Sequence, residues 1–258
     1  MLIAERHRRI LEKLQTSSVV SMHLLADELD TSVVTIRRDL RALAADGMLR
    51  RTRGGAMAPG ALAYEPTYAE KAEQLMAEKE AIAEAALTLI EPGDSIVLGP
   101  GTTTLCLARL LPRVGDLTVV TNSLVVAAAL AAASTIEVVV TGGTMRRSIH
   151  ALVGPGTEHA LRELRLSWGF MSGNGVNAER GLTTPNLLVA AADQAIAAAS
   201  RRIAVLADHS KLGHETMCLT VPPERIDVLI TDPAADPLEI DKLRAAGVAV
   251  RVTHPVLR

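Results

Sequence analysis

From Ser95 onward, short apolar runs that suit strands alternate with Ala-rich stretches that suit helices: "SIVLGPGTTTLCLARLL", "LTVVTNSLVVAAALAAA", "IEVVVTGG", "WGFMSGNGV", a helix near 186–199, "RIAVLADHSKLG", "IDVLITD" and "PLEIDKLRAAGVAVRVT". No other feature restricts the fold as strongly. Such alternation predicts a mostly parallel sheet with helices on its faces. In sheets of this kind ligands bind beyond the carboxyl ends of the strands, which is where this chain places its Gly, Thr, Asn and Lys residues. Of the 258 residues 48% are hydrophobic, so a sizeable core is available, but there is one Trp, one Phe and two Tyr. Ala, Leu, Val and Ile must build that core, and a ligand site cannot depend on aromatic stacking.

The first part of the chain follows another rhythm. Residues 3–16 read as a helix with Ile3, Ile10, Leu11 and Leu14 on one side. Ser21 is placed to cap a second helix, "MHLLADEL", and Ser32 a third that runs to about Ala45, where Gly47 suits a left-handed C-cap. "MLRRTRGGAMA" then pairs a short apolar-basic strand with a Gly-Gly turn, the pattern of a β wing. The expected organisation is a winged helix-turn-helix domain over 1–58, a linker over 59–68, and an α/β body over 69–258. A long helix is expected over 68–90, joining linker to sheet and placed to transmit a signal.

Charge is distributed unevenly. Residues 1–60 hold ten Lys/Arg against seven Asp/Glu, whereas the whole chain has a net charge of −2. A basic end on an acidic body suggests contact with a polyanion. Six of the arginines lie between Thr31 and Ala56. On the third helix Val33, Ile36, Leu40 and Leu43 form the buried stripe. At 3.6 residues per turn, Arg38 falls almost opposite it, Thr35, Arg41 and Ala42 share the outer face, and Arg37 and Asp39 flank the core edge. A helix with arginines and small side chains facing outward suits a major groove, where arginine reads guanine and methyl groups meet thymine. A solvated helix with a chance arginine pair is the plain alternative. The preceding short helix and the following basic wing argue for DNA.

These residues also carry a resemblance. The segment "SVVSMHLLADELDTSVVTIRRDLRALAADGMLRRTRGGA" resembles the N-terminal domain of DeoR-family transcriptional regulators, through Thr35-Ile36-Arg37-Arg38-Asp39-Leu40 and Gly54-Gly55-Ala56, with Arg53 where the family usually has His. The resemblance extends through nearly the whole chain. It makes Thr35, Arg37 and Arg38 the foremost DNA contacts, with Arg37 a phosphate anchor. The full candidate set is Ser32, Thr35, Arg37, Arg38 and Arg41 on the helix, and Arg50, Arg51 and Arg53 on the wing.

In the body, "GPGTTT" (Gly99 to Thr104) follows a strand and opens a helix, so free N–H groups and threonine hydroxyls suit a phosphate. Polar loops at other strand ends join it: "TNS" (Thr121 to Ser123), "TGG" (Thr141 to Gly143), "GNGV" (Gly173 to Val176), "GLTTPN" (Gly181 to Asn186) and "ADHSKLG" with Lys211. A convergent anion pocket is one reading. The other is that Lys211 is a surface residue and the threonines are helix caps. The candidate residues are Gly101, Thr102, Thr103, Thr104, Asn122, Ser123, Gly142, Gly143, Gly173, Asn174 and Lys211.

The same segments resemble the DeoR effector domain, which is similar to the ribose-5-phosphate isomerase and glucosamine-6-phosphate deaminase folds. The resemblance implies a Rossmann-like sensor for a phosphorylated sugar, with phosphate at Thr102, Thr103, Thr104 and Lys211 and hydroxyls near Asn122, Gly143 and Asn174. The chain departs from the pattern at Gly99, where the family often has Asp. It also has Asp193 at a site where many members are basic, and Asn174 rather than the carboxylate an isomerase would use as base.

An isomerase needs a carboxylate within reach of the substrate proton it moves. The strand-end loops offer Asp208, which could instead fix Lys211 or cap its turn, and Glu179. No catalytic residue, metal site or cofactor is expected; Cys106 and Cys218 lack metal-ligand spacing and read as buried thiols. The expected function is a DNA-binding repressor of a carbohydrate operon, controlled by a phosphosugar and acting on operator DNA as a homo-oligomer. A sugar-phosphate isomerase or deaminase with a DNA-binding appendage is the alternative. With no signal peptide and no membrane span expected, the protein reads as cytoplasmic.

Overall fold

The computed structural model describes residues 2–16, 19–52, 54–58, 62 and 65–253. The chain divides into two compact units, Met1–Tyr64 and Glu65–Arg258.

The first unit holds α1 (Ile3–Thr16), β1 (Val19–Ser21), α2 (Met22–Glu28), α3 (Val33–Ala45), β2 (Arg50–Thr52) and β3 (Gly55–Met57). Ser21 accepts from the backbone N–H groups of His23 and Leu24, and Ser32 accepts from that of Thr35; such caps each contribute about 1 kcal/mol. Past α3, the N–H of Gly47 reaches Ala44 and that of Met48 reaches Leu43, with Gly47 at φ +70°. The left-handed glycine turns the chain back so that the last carbonyls of α3 are satisfied. Ile10, Leu14, Leu25, Ile36, Leu40, Leu43 and Leu49 form the core of this unit.

The wing is larger than the sequence suggests. β3 pairs with β2 and also with β1, giving the order β1-β3-β2. Gly55 makes this possible, since a Cβ there would lie 1.8 Å from the Val20 carbonyl oxygen. Three residues at Val19–Ser21 are too few to show a periodicity, so only the tertiary pairing reveals β1.

The second unit begins with α4 (Tyr68–Ala72) and α5 (Met76–Leu87), followed by β4 (Ser95–Leu98), α6 (Thr102–Leu110), β5 (Leu117–Thr121), α7 (Leu124–Leu130) and β6 (Ile136–Val140). Next come β7 (Thr144–Arg146), β8 (Ala151–Val153), α8 (Pro155–Arg162), β9 (Leu166–Met171), β10 (Gly175–Asn177), β11 (Gly181–Thr184) and α9 (Leu187–Ala199). The unit ends with β12 (Ser200–Leu206), β13 (Cys218–Val221), β14 (Val228–Thr231), α10 (Pro237–Ala245) and β15 (Ala249–Val252).

Seven strands form a parallel sheet in the order β15-β14-β12-β9-β4-β5-β6. This is the α/β, Rossmann-like architecture that the alternation implies. Successive residues face opposite sides: Ile96 and Leu98 pack with Ile82, Leu107 and Leu130, while Val97 packs with Leu161, Ile196 and Leu243. Burial on both faces explains why these strands read as continuous apolar runs. Antiparallel β10-β11-β13 and the β7-β8 hairpin add to this framework.

The single helix expected over 68–90 is two helices. Leu75 adopts a left-handed conformation (φ 53°, ψ 43°) between them, a costly choice for a side chain with a Cβ. Lys79 offsets it, because its ammonium donates to the carbonyl of Lys71 at the end of α4. Residues 65–68, assigned from sequence to the linker, make contacts of the body. Glu65 receives Arg146 and Ser148, and Thr67 caps α4 in a reciprocal box with Glu70. Residues 59–61, 63 and 64 lie outside the described residues.

Among the described residues no helix is long and apolar enough to cross a membrane. The apolar run 124–143 is α7 followed by β6.

Candidate functional site

The cations of the first unit fall into two classes. On α1, Arg8 pairs with Glu5 and Glu12, Arg9 with Glu5, and Lys13 with Glu28 on α2. Arg6 is buried against Asp39 of α3, with its Nε 2.5 Å and one terminal nitrogen 3.0 Å from the two carboxylate oxygens. His7 Nε2 lies 3.1 Å from the same group. Burial alone would raise the Asp39 pKa, but the hydrogen bonds and charges of Arg6 and His7 hold it below the usual carboxylate range. Asp39, placed from periodicity at the core edge, is thus inside the core, where its pair locks α1 onto α3.

On α3 the arrangement is the reverse. Arg37, Arg38 and Arg41 are exposed, and among the described residues none has an ion pair or hydrogen bond. Val34 beside them is 72% exposed. Thr35 is half-buried, its hydroxyl 2.9 Å from that of Ser32. Arg51 on β2 is exposed, and Arg50 shares its strand. Arg53 lies outside the described residues. A surface of free guanidiniums beside small side chains suits a polyanion with readable edges.

The body has a cavity at the carboxyl ends of three neighbouring strands. Pro100 and Gly101 come from the loop after β4 and Thr102 and Thr103 from the start of α6, Ser172 to Asn174 from the loop after β9, and Asp208, Ser210 and Lys211 from that after β12. From β4 the chain winds outward to β5 and β6, whereas β9, β12, β14 and β15 fill the other side. The cavity therefore sits where strand order reverses, the position at which open α/β sheets bind ligands. Glu65, Tyr68, Lys71, Gln74, Leu75 and Lys79 close it from one side, and Val189 and Asp193 of α9 from another.

Its charges are close-set. Burial, then the positive charge of Lys211, lowers the Lys71 ammonium to about 8, with Glu65 opposing. Burial pushes the Asp193 carboxyl up to about 8, against the pull of Lys71 and with the help of Glu65. Asp208 closes its own turn: Oδ1 accepts from the backbone N–H of Ser210 at 3.0 Å and from the Ser210 hydroxyl. The loop is held from behind by Asp232, which accepts from the His209 backbone at 2.7 Å and lies 2.8 Å from its ring Nδ1. Among the described residues no group of three or more His, Cys, Asp or Glu could hold a metal ion. Cys106 and Cys218 are buried and free.

Residues 6–60 match a family model described as the DeoR-like helix-turn-helix domain, and residues 74–233 one described as the DeoR C terminal sensor domain. The chain is 38% identical to the HTH-type transcriptional regulator GlpR of Haloferax volcanii, over 97% of this chain and 98% of that protein. The chain belongs to the DeoR family. It is also 32% identical to a putative aga operon transcriptional repressor of Escherichia coli O157:H7, over 96% of this chain and 93% of that one. Among solved structures, ribose 5-phosphate isomerase A from Methanocaldococcus jannaschii is similar over 52% of each chain, with 18% identity and a TM-score of 0.39.

Within this DeoR-type body the cavity brings together Gly101, Thr102, Thr103, Gly173, Asn174 and Lys211 of the residues singled out from sequence. The others are occupied elsewhere. Thr104 is buried and donates to the Gly101 carbonyl at 3.0 Å. Asn122 is buried and donates to Leu152 at 3.0 Å, and Ser123 caps α7. The Gly142 carbonyl accepts from Thr157 at 2.8 Å, and Gly143 at φ +116° packs so closely that a Cβ would lie 2.3 Å from the Thr157 hydroxyl. The loops after β5 and β6 are spent on internal packing because β5 and β6 lie away from the point of strand reversal. Glu179 is exposed at a turn and outside the cavity lining. Sequence reasoning missed Glu65, Tyr68, Lys71 and Lys79 as lining groups. Their one signal was a pair of lysines eight residues apart in a segment read as one long helix joining linker to sheet.

Proposed function

We propose that this chain is a ligand-responsive transcriptional repressor of a carbohydrate-metabolism operon, controlled by a phosphorylated sugar or related metabolite, and that it is not an enzyme. The observation that carries the reading is the set of exposed arginines on α3, which have no partner among the described residues, whereas the arginines and the lysine of α1 in the same unit are paired. Ser32, Thr35, Arg37, Arg38 and Arg41, with the wing arginines, would contact operator DNA. The names of the relatives, a transcriptional regulator and a putative operon repressor, point the same way.

For the ligand, support comes from the free N–H groups at the start of α6 and from Lys71 and Lys211 lining the same cavity. This combination suits a phosphate dianion. The engagement of Asp208 by Ser210 favours binding over catalysis, since a general base must be free to take a proton. To act as a switch, the ligand must bind two states of the protein with different affinity. A homo-oligomer reading symmetric half-sites is the expected working form.

The test is fluorescence anisotropy of a labelled duplex from the gene's own upstream region, at fixed salt, with and without a panel of sugar phosphates. Nanomolar binding that one phosphosugar shifts and that Arg38→Ala weakens is the expected result. Sequence-indifferent binding unmoved by the panel would overturn the switch.

A further inference from the structure

Asp193 is the least explained group in the body. It lies on α9, is 3% exposed, and lines the cavity. Among the described residues no hydrogen bond reaches its carboxylate, and Lys71 and Glu65 act on it through their charges alone. Burial keeps the group protonated near neutral pH, and a neutral carboxyl shielded from bulk water without a hydrogen-bonding partner still costs part of its desolvation. The other cavity carboxylates avoid that cost: Glu65 is held by Arg146 and Ser148, and Asp208 by Ser210. A packing role would be met better by an apolar side chain, as Val189 does one turn earlier on the same helix.

We infer that Asp193 is a specificity-determining residue of the ligand cavity, accepting a hydrogen bond from a hydroxyl of a polyhydroxylated phosphate ester whose phosphate lies at the start of α6. This deepens the proposed function and rests on its reading of the cavity as an anion site. A neutral donor fits better than an ammonium. Lys71, Lys79 and Lys211 already line the cavity, and the Lys71 ammonium is lowered first by burial and then by the charges of Lys211 and Lys79. A fourth cation would add to that repulsion, whereas a hydroxyl supplies the missing donor without charge. The selectivity is expected to be strong, because a ligand lacking the hydroxyl leaves the buried carboxyl oxygen unpaired.

The experiment is calorimetric titration of the full-length protein and its Asp193→Ala and Asp193→Asn variants. The probes are inorganic phosphate, a set of aldose and polyol phosphates, their deoxy analogues, and an amino-sugar phosphate. The expected pattern is that wild type binds one polyol or sugar phosphate at least about tenfold more tightly than its deoxy analogue. Asp193→Ala should erase that difference while binding inorganic phosphate as wild type does. Asp193→Asn, which keeps an acceptor oxygen, should retain part of the preference. Asp193→Ala should melt at higher temperature than wild type without ligand, because an unpaired buried carboxyl has been removed, and Asp193→Asn close to wild type, because its amide is equally unpaired. That readout also establishes that they fold.

Equal weakening of every probe, phosphate included, would mean a structural role and overturn the inference. So would an unchanged preference in Asp193→Ala, or tightest binding of the amino-sugar phosphate with loss in Asp193→Asn. In each of those cases the anion-site reading survives. If neither phosphate nor any ester binds wild type, that reading fails and takes this inference with it.

Discussion

The arginines of α1 and those of α3 belong to the same small domain and are equal in any count of charge, yet the fold uses them in opposite ways. Those of α1 are spent: Arg8 and Arg9 on acids of their own helix, and Arg6 on Asp39 across the core. Those of α3 are left open. Net charge therefore says little about where a polyanion binds, and pairing says more. The lysines of the body form a third case. Lys71 is enclosed in the cavity, and burial, then the charge of Lys211, lowers its ammonium to about 8, a range in which a guanidinium does not titrate.

The sharpest way to break the comparison is to cut the link between the two helices. Asp39→Ala strands Arg6 in the core, and loss of one partner of a buried pair costs about 3–5 kcal/mol. Calorimetry of the full chain should show the transition of the N-terminal unit fall steeply. Because Asp39 is held below its ordinary value of 3.8, the pair's contribution is complete above that value and is lost as pH falls below it. An N-terminal transition unchanged by Asp39→Ala would remove Asp39 from the list of core anchors.

Next in size is the contrast on DNA. Arg38→Ala should weaken operator binding by about 1–3 kcal/mol if it reads a base, whereas Arg8→Ala, which loses only exposed pairs on α1, should leave operator affinity close to wild type. Equal losses at both positions would collapse the distinction between spent and open arginines.

The third prediction separates arginines from lysines. Between pH 7 and 9, Lys71 loses its proton and Asp193 loses its own, so the cavity loses a positive charge and gains a negative one. Affinity for inorganic phosphate should fall several-fold over that range, while operator affinity without ligand stays flat because guanidiniums do not titrate there. Isothermal titration and anisotropy at matched ionic strength would check the two arms. The smallest effect is on salt. Arg51→Ala on the wing should reduce the slope of log affinity against log salt by about 1 if it neutralises one phosphate.

Much of this was legible in the sequence. Strand–helix alternation implied the parallel sheet, the spacing of Ile36, Leu40 and Leu43 gave the face of α3, and Ser21 and Ser32 marked helix starts. Each of these signals is local. The break at Leu75 was not legible, since "AEKAEQLMAEKEA" is helix-forming throughout and the compensating bond from Lys79 to the Lys71 carbonyl is a tertiary matter. Nor was the difference between Thr103, which lines the cavity, and Asn122, which supports Leu152. Both sit in polar loops after apolar strands, and only their distance from the reversal of strand order separates them.

By itself, then, the sequence determined most of the helices and strands, though neither β1 nor the break at Leu75, which side of α3 faces outward, and the family to which the chain belongs. These depend on periodicity, caps and motif residues close together along the chain. Tertiary structure alone decided which arginines have no partner among the described residues, which loops meet, and that Asp193 lies buried, without a hydrogen bond among those residues, in a cavity lined by lysines from three other segments. Such facts depend on groups far apart in sequence, where one buried neighbour is enough to consume a charge or to leave it available.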